Sequence, residues 1–277
     1  MVAMNSPNIV LTKRVHKVSQ HRSGIAGIEA MTMLSEHTFP RHSHDQFGFG
    51  VMTAGAQRSW SILGEVESGV GDVIMVNPGE IHDGAPIGGA RGWHILYLDP
   101  ELVMREVGEE YGKSDFAMCP VARDPQLGGD ILRFFKEMEL CSTDNMAKEE
   151  ALLCCLMRIL QKHGLDGPRK PPSSPPVLRA IRRLENAPEV STSLGDLAAS
   201  SGVSRFQLLR GFFRETGATP HAYLVQLRVR MARRFLAAGN SPAEAALLAG
   251  FADQSHLTRA FVRQFGITPG GYKTAIS

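Results

Sequence analysis

The stretch Gly250-Phe251-Ala252-Asp253-Gln254-Ser255-His256-Leu257-Thr258-Arg259-Ala260-Phe261 decides how this chain is read. A glycine turn leads into a short segment whose apolar and polar residues separate at helical spacing. Leu257 and Phe261 stand four apart and are expected to point into a core. Gln254, Ser255, Thr258 and Arg259 fall on the opposite side, where amide, hydroxyl and guanidinium groups suit the base edges of a DNA major groove. The pattern predicts a recognition helix.

Working outward, the same pattern occurs a second time. Leu208, Arg210, Phe212, Arg214, Gly217, Thr219, Pro220 and Tyr223 recur 49 positions later as Leu257, Arg259, Phe261, Arg263, Gly266, Thr268, Pro269 and Tyr272. Upstream of the first copy, a short alanine-rich helix is expected to end at Gly202, a suitable left-handed terminator. A second helix restarts at Ser204 with Gln207 three residues on, a capping-box pattern. Helix, glycine turn and helix at this spacing predict a helix-turn-helix unit. Ser241-Pro242-Ala243-Glu244 opens the second unit with a serine cap, a proline in the first turn and a glutamate to close the box. Between the copies, Ala222 to Ala238 reads as one amphipathic helix. Leu224, Leu227, Met231 and Phe235 form its stripe, and Arg228, Arg230, Arg233 and Arg234 surround it. Such a helix spans ~25 Å and would set two recognition helices about one DNA turn apart.

Charge divides the chain in the same way. Up to Asp166 there are 15 Lys and Arg against 22 Asp and Glu; beyond it the balance is 15 against 6. The sign changes at Gly167-Pro168-Arg169-Lys170-Pro171-Pro172-Ser173-Ser174-Pro175-Pro176, whose prolines predict an extended spacer. We therefore expect a domain over 1–166, a linker over 167–176 and a basic helical domain over 177–277, opening with a helix at Val177–Asn186 that exposes Arg179, Arg182 and Arg183. Met1 to Leu11 does not read as a secretory signal, and no window holds the ~18 apolar residues that span a bilayer. No membrane association is expected, and the cytoplasm is the default compartment. Cys119, Cys141, Cys154 and Cys155 have no metal-type spacing, and the adjacent pair reads as buried free thiols.

The acidic half reads as short strands separated by Gly, Pro and Asn turns: Phe47–Met52, Gln57–Leu63, Asp72–Val76 and Trp93–Leu98. Strands this closely spaced suggest a small barrel. His42 and His44 share one strand face at a spacing of two, and His82 on a neighbouring strand would bring three imidazoles together. Trp60 and Trp93 each either wall a ligand pocket or fill the core. Arg41, Arg58 and Arg91 flank these elements and are expected at the solvated surface, with pairing to an anionic effector as the alternative for any of them. After Pro100 the period becomes helical, at Asp130–Met138 and Glu149–Leu160. The second of these helices is apolar around more than half its circumference, which points to burial or a dimer interface.

From Pro176 to Lys273 the chain closely resembles the DNA-binding domain of the AraC/XylS family of transcription regulators. The resemblance rests on the Gly250–Phe261 stretch together with Phe265-Gly266-Ile267-Thr268-Pro269. The His42-Ser43-His44 and Gly71…Gly79-Glu80-Ile81-His82 pieces resemble the two cupin motifs, with Asn77 for the usual proline and Gly48 where a glutamate would stand. The resemblance implies an α+β chain with a cupin-like β-barrel and helical hairpin for effector binding and dimerisation, and a C-terminal double helix-turn-helix domain. It also implies that Arg205, Phe206, Leu209 and Arg210 face DNA in the first unit, as do Gln254, Ser255, Thr258 and Arg259 in the second. Arg214, Arg263, His256 and Lys273 become candidates for phosphate contacts. Asp253 is expected to cap its helix. The implied function is an effector-controlled, DNA-binding regulator, an activator working with RNA polymerase as a homodimer, with no catalytic residues and no cofactor. His42, His44, His82, Trp60 and Trp93 are the effector candidates. The same histidines carry the alternative of a metal-dependent cupin enzyme or metal sensor, which the vacant acid at Gly48 disfavours. A ligand-independent regulator whose barrel only dimerises is the other alternative.

Overall fold

The computed structural model of the chain describes residues 15–61, 63–111, 116–139, 145–166 and 173–276. Met1–Leu11, Cys141 and linker residues 167–172, on which expectations were placed above, lie outside these ranges.

Two long strands organise the acidic half. The strands in order are β1 (His16–His21), β2 (Ile28–Ser35), β3 (Phe39–His42), β4 (Phe47–Ser61), β5 (Gly64–Gly69), β6 (Val73–Val76) and β7 (His82–Leu98). After α1 (Pro100–Tyr111) come β8 (Phe116–Met118) and β9 (Val121–Ala122). The antiparallel sheet runs β1-β2-β7-β4-β6-β9, with β3 on β7 and β5 on β4. Strands β4 and β7 pair from Phe47 opposite Leu98 to Arg58 opposite Ala85, with register shifts around Ala54. At that shift Gly55 has φ 62°, and a Cβ there would lie 2.4 Å from the Ala90 carbonyl oxygen. Only glycine lets the two backbones approach this closely while the pair bends over itself. The strands expected at Phe47–Met52 and Gln57–Leu63 are therefore one bent strand as far as Ser61.

A helical hairpin, α2 (Pro125–Glu139) and α3 (Asn145–Lys162), closes one face; β10 (Gly164–Asp166) follows and pairs with β8. Leu127, Ile131 and Phe134 of α2 and Leu152, Cys155 and Ile159 of α3 share one core with Phe49 and Leu96. Cys155 is buried and Cys154 half-buried, both free. Asp124 fixes the hairpin, accepting from Arg158 Nε and Nη2 and from His163 Nε2, each at 2.7 Å.

The basic half comprises α4 (Pro175–Asn186), α5 (Leu194–Ser201), α6 (Arg205–Thr216), α7 (Pro220–Ala237), α8 (Pro242–Leu248), α9 (Gln254–Phe265) and α10 (Pro269–Ile276). Pro175 and Pro176 belong to the first turn of α4 and not to the linker, because a missing N–H costs nothing there. The capping boxes at Ser204–Gln207 and Ser241–Glu244 are formed, and Gly202 is left-handed with φ 69°. One core gathers Leu208 and Phe212 with α4 and α5; a second gathers Leu257, Phe261 and Tyr272 with α7 and α8.

Helix α7 departs from its expected stripe. Leu224 of that stripe is buried, but Leu227, Met231 and Phe235 are half-buried, and Val229, Ala232 and Leu236 are the most deeply buried apolar residues. Gln226 and Arg233 are buried as well, because the barrel covers a second side of the helix. Arg233 meets Glu29 at 3.3 Å and Asp45 at 3.1 Å and donates to Gln46, while Arg234 meets Asp45 at 2.8 Å. Burial pushes the Asp45 carboxyl up, but the Arg233 charge and the Arg234 hydrogen bond outweigh it and hold Asp45 below the usual carboxylate range. The Tyr272 hydroxyl donates to Glu29 at 3.0 Å, and His16 Nε2 to the Gly266 carbonyl at 2.7 Å. The two halves are thus held together by a polar seam.

Candidate functional site

The polar face of α9 is open. Gln254, Ser255, Arg259 and Arg263 are exposed, and Thr258 is half-buried with its hydroxyl donating to the Gln254 carbonyl at 2.8 Å. Asp253 caps the helix by accepting from the His256 backbone N–H at 2.6 Å. The His256 ring stands edge-on to Phe251 with centroids 5.1 Å apart. In α6, Arg205, Phe206, Leu209, Arg210 and Arg214 are exposed, as are Gln207 and Phe213. Phe206, at 71% exposure, takes no part in the core, and Leu209 is 37% exposed. Arg214 pairs with Glu215 at 3.1 Å, and Lys273 donates to the Gly239 carbonyl at 2.7 Å. Every sequence-derived DNA candidate thus lies wholly or partly at the surface of its helix.

The barrel candidates converge. Ring centroids of His42 and His82 are 4.4 Å apart, those of His42 and His44 4.8 Å, and those of His44 and His82 5.1 Å. Strand β3 ends at His42, so a shared strand face is not what gathers them. His44 lies beyond the end of the strand, just before the bend at Asp45 and Gln46. His42 Nδ1–H donates to the Pro40 carbonyl at 2.7 Å, and His82 Nδ1–H to the Glu80 carbonyl at 3.1 Å. Burial, helped by the neighbouring His82, pushes His42 down to about 3; burial alone takes His82 to about 4. His44 is driven well below its ordinary value, by burial first and then by the neighbouring histidines. All three rings are neutral at physiological pH.

These rings line a cavity of about 100 Å³ together with Trp60, Trp93, Gln264 and Phe265. Trp93 is 5% exposed and packs against Phe39, so it both fills the core and walls the cavity. Trp60 lies under the Arg41 guanidinium, 4.4 Å from its ring centroid. Arg58 sits at the surface with Glu65 and Glu67, as expected. Arg91 does not: it has no exposure and lines the cavity. Its donors go to Gln57 Oε1 and to the carbonyls of Ser35, His37 and Gly84, with no carboxylate partner among the described residues. Burial pushes Arg91 down to about 10, which leaves it a cation at neutral pH.

The two departures from the cupin pattern have structural causes. A Cβ at Gly48 would lie 2.7 Å from Val76 Cγ2 and 3.0 Å from Tyr97 Cε1, so Tyr97 occupies the space an acid would need. Asn77 bridges Glu80 and the backbone of Met118, work that proline cannot do. Sequence reading missed Gln264 and Phe265, which close the cavity from α9. The available signal was that the repeat breaks there, Glu215 and Thr216 standing at the matching positions.

With this geometry established, known proteins provide the comparison. The AraC-like ligand binding domain model matches residues 23–157, and a helix-turn-helix domain model matches residues 197–275. The HTH-type transcriptional regulator YidL of Escherichia coli is 33% identical over 228 residues, 76% of this chain and 74% of that protein. YbfI of Bacillus subtilis, another HTH-type transcriptional regulator, is 28% identical over 225 residues, 79% of this chain and 81% of that one. ToxT of Vibrio cholerae shares the two-domain fold, with a TM-score of 0.55 at 9% identity over 91% of this chain and 99% of that one. No helix among the described residues is long and apolar enough to cross a membrane.

Proposed function

The chain belongs to the AraC-like family of helix-turn-helix transcription regulators, and from that premise we propose that α6 and α9 read promoter DNA under the control of a small effector held in the barrel cavity. One observation carries the reading. Gln264 and Phe265, the last two residues of α9, complete the cavity, while Gln254 and Ser255 stand exposed at the other end of the same helix. A molecule in the cavity therefore touches the helix that meets DNA, which disfavours a barrel that only dimerises.

In this reading Arg210 and Arg259 recognise guanine, Gln254 and Ser255 hydrogen-bond base edges, and Phe206 meets a thymine methyl. Arg205, Leu209 and Thr258 flank them, and Arg214, Arg263 and His256 hold phosphates. The effector is small, since about 100 Å³ is well below the ~300–1,000 Å³ of drug-sized sites. His42, His44, His82, Trp60 and Trp93 receive it. Exposed Leu132 and Met157 on the helical hairpin support a homodimer interface on that face. The protein acts in the cytoplasm as an activator, by presenting DNA-bound dimers to RNA polymerase, and not by catalysis.

Sequences selected from a random pool by the full-length protein supply an operator for testing. Arg259→Ala and Arg210→Ala should each weaken operator binding by about 1–3 kcal/mol in a gel-shift assay while the fold is kept. Unchanged affinity in both would remove these helices from the interface. For the effector, a thermal-shift screen of small metabolites and ions should find one whose stabilisation is lost in Trp93→Ala. A screen in which nothing stabilises the wild type would favour the ligand-independent reading.

A further inference from the structure

We propose that the cavity receives a small organic monocarboxylate, and that Arg91 pairs with its carboxylate in a niche opened by Gly84. This names the class of the effector proposed above and rests on the reading that the cavity holds one. Two independent observations carry it. The first is the Arg91 guanidinium, which is fully buried, lines the cavity and meets only neutral oxygens among the described residues. Nε serves Gln57 Oε1, and Nη1 serves the Ser35 and His37 carbonyls. Nη2 serves the Gly84 carbonyl alone, which leaves one of its hydrogens for a ligand. The Trp93 ring lies 5.0 Å from the guanidinium carbon. Carbonyls and a ring face hold a buried cation in place, but only an anion neutralises it.

The second observation is Gly84, on β7 opposite Phe39 of β3. Its φ lies outside the left-handed region, so the backbone does not call for glycine. A Cβ there would have Arg91 Nη2 at 3.5 Å, Gln57 Oε1 at 3.6 Å and Ser59 Oγ at 3.8 Å as its nearest neighbours, all ordinary contacts. The missing methyl therefore leaves a niche walled by a guanidinium nitrogen, an amide and a hydroxyl, and all four residues line the cavity. A carboxylate oxygen in that niche accepts from Nη2 and from the Ser59 hydroxyl. Charge-assisted bonds of this kind are shorter and stronger than neutral ones.

The rest of the cavity sets the body and the charge of the ligand. Met31, Met33, Trp93 and Ile95 are buried together and line it, which suits an apolar body and not a bare inorganic anion. Glu80 and Asp83 also line it. Asp83 pairs with Arg41 at 3.6 Å, and Glu80 accepts from Asn77 Nδ2 at 2.7 Å. These two carboxylates repel a second negative charge on the ligand, while the neutral histidine rings add no cation to offset it. A short aliphatic or single-ring monocarboxylate meets all these conditions. Phosphate, sulfate and dicarboxylates do not.

Trp60 and Trp93 are the only tryptophans of the chain and both line the cavity, so the intrinsic fluorescence of the full-length protein reads occupancy. It is titrated with acetate, butanoate, hexanoate, octanoate and cyclohexanecarboxylate, and with their primary amides. At least one carboxylate should saturate the signal. Its amide should bind about 10–100-fold more weakly, because a neutral carbonyl replaces the charged partner of Nη2. Gly84→Ala fills the niche and should weaken that carboxylate at least as much, with the ligand-free melting temperature unchanged. Arg91→Gln should erase the preference for carboxylate over amide; if either variant does not fold, the comparison of acid and amide on the wild type stands by itself. No carboxylate binding, equal binding of the amide, displacement by sulfate, or wild-type affinity in Gly84→Ala would overturn the proposal. No DNA enters these titrations. A carboxylate that binds in this way but leaves operator affinity unchanged would count against effector control alone, and a cavity that takes only an uncharged compound would count against the carboxylate class alone.

Discussion

The two helix-turn-helix units are copies that have come to touch different things. Both keep the same buried framework: Leu208 and Phe212 in one, Leu257 and Phe261 in the other, each ended by a left-handed glycine, Gly217 or Gly266. They part company on the surface. Where α6 exposes Phe206 and Leu209, α9 carries Ser255 and Thr258. Where α6 ends in Glu215, which accepts twice from Ser174 at 2.9 Å beside the start of its own domain, α9 ends in Gln264 and Phe265 at the barrel cavity. Residues that fold the unit stayed the same, as did the arginine pairs Arg210/Arg259 and Arg214/Arg263, while other exposed positions and the helix ends diverged. The first unit is anchored to the start of its domain, and the second to the barrel cavity proposed to receive the effector.

The strongest way to break this asymmetry is to cut the seam beside the second unit. Arg233→Ala removes the buried cation shared by half-buried Glu29 and Asp45, leaving Asp45 with Arg234 alone, and should cost about 3–5 kcal/mol of the interaction between the halves in denaturant unfolding. A loss below 1 kcal/mol would show that the seam contributes little. Acid should act in the same direction. Because the Asp45 carboxyl is held below its ordinary range, its contribution is complete above about 3.9 and fades as pH falls below that value. Limited proteolysis between the halves should therefore accelerate in acid for the wild type, and far less so for Asp45→Asn.

The turn glycines offer a sharper contrast. At Gly202 an alanine meets only the left-handed strain of about 1–2 kcal/mol, since its nearest neighbour is Arg179 Nη2 at 3.9 Å. At Gly250 the added Cβ would also lie 2.5 Å from the Glu189 carbonyl oxygen, so Gly250→Ala should cost about 2–4 kcal/mol. Equal melting temperatures for the two variants would contradict this ordering. On DNA, base-pair swaps under the second unit should each cost about 1–3 kcal/mol and swaps under the first unit less, because α6 presents apolar side chains where α9 can hydrogen-bond. Equal penalties under both units would end that distinction. The smallest effect is expected from Gln264→Ala, which removes one interdomain hydrogen bond worth about 1 kcal/mol. Operator affinity without effector should change little, while the effector's influence on it should shrink.

What the sequence by itself determined is what short-range physics controls. Caps, turn glycines and the period of apolar residues act within a few positions, so both helix-turn-helix units, their capping boxes and their exposed faces were legible from Ser204, Gln207, Ser241, Glu244 and the repeat. The three histidines were legible as a group, although the end of β3 at His42, before His44, was not. Tertiary structure alone decided the rest. Arg91 is a buried cation because the Gln57 side chain and carbonyls from two separate segments surround it, and no local pattern records that. Arg233 reads like its exposed neighbours until the barrel covers its side of α7. Gln264 meets Ser43 across 221 residues of sequence, so the link between the cavity and the DNA-reading helix exists only once the two halves have docked.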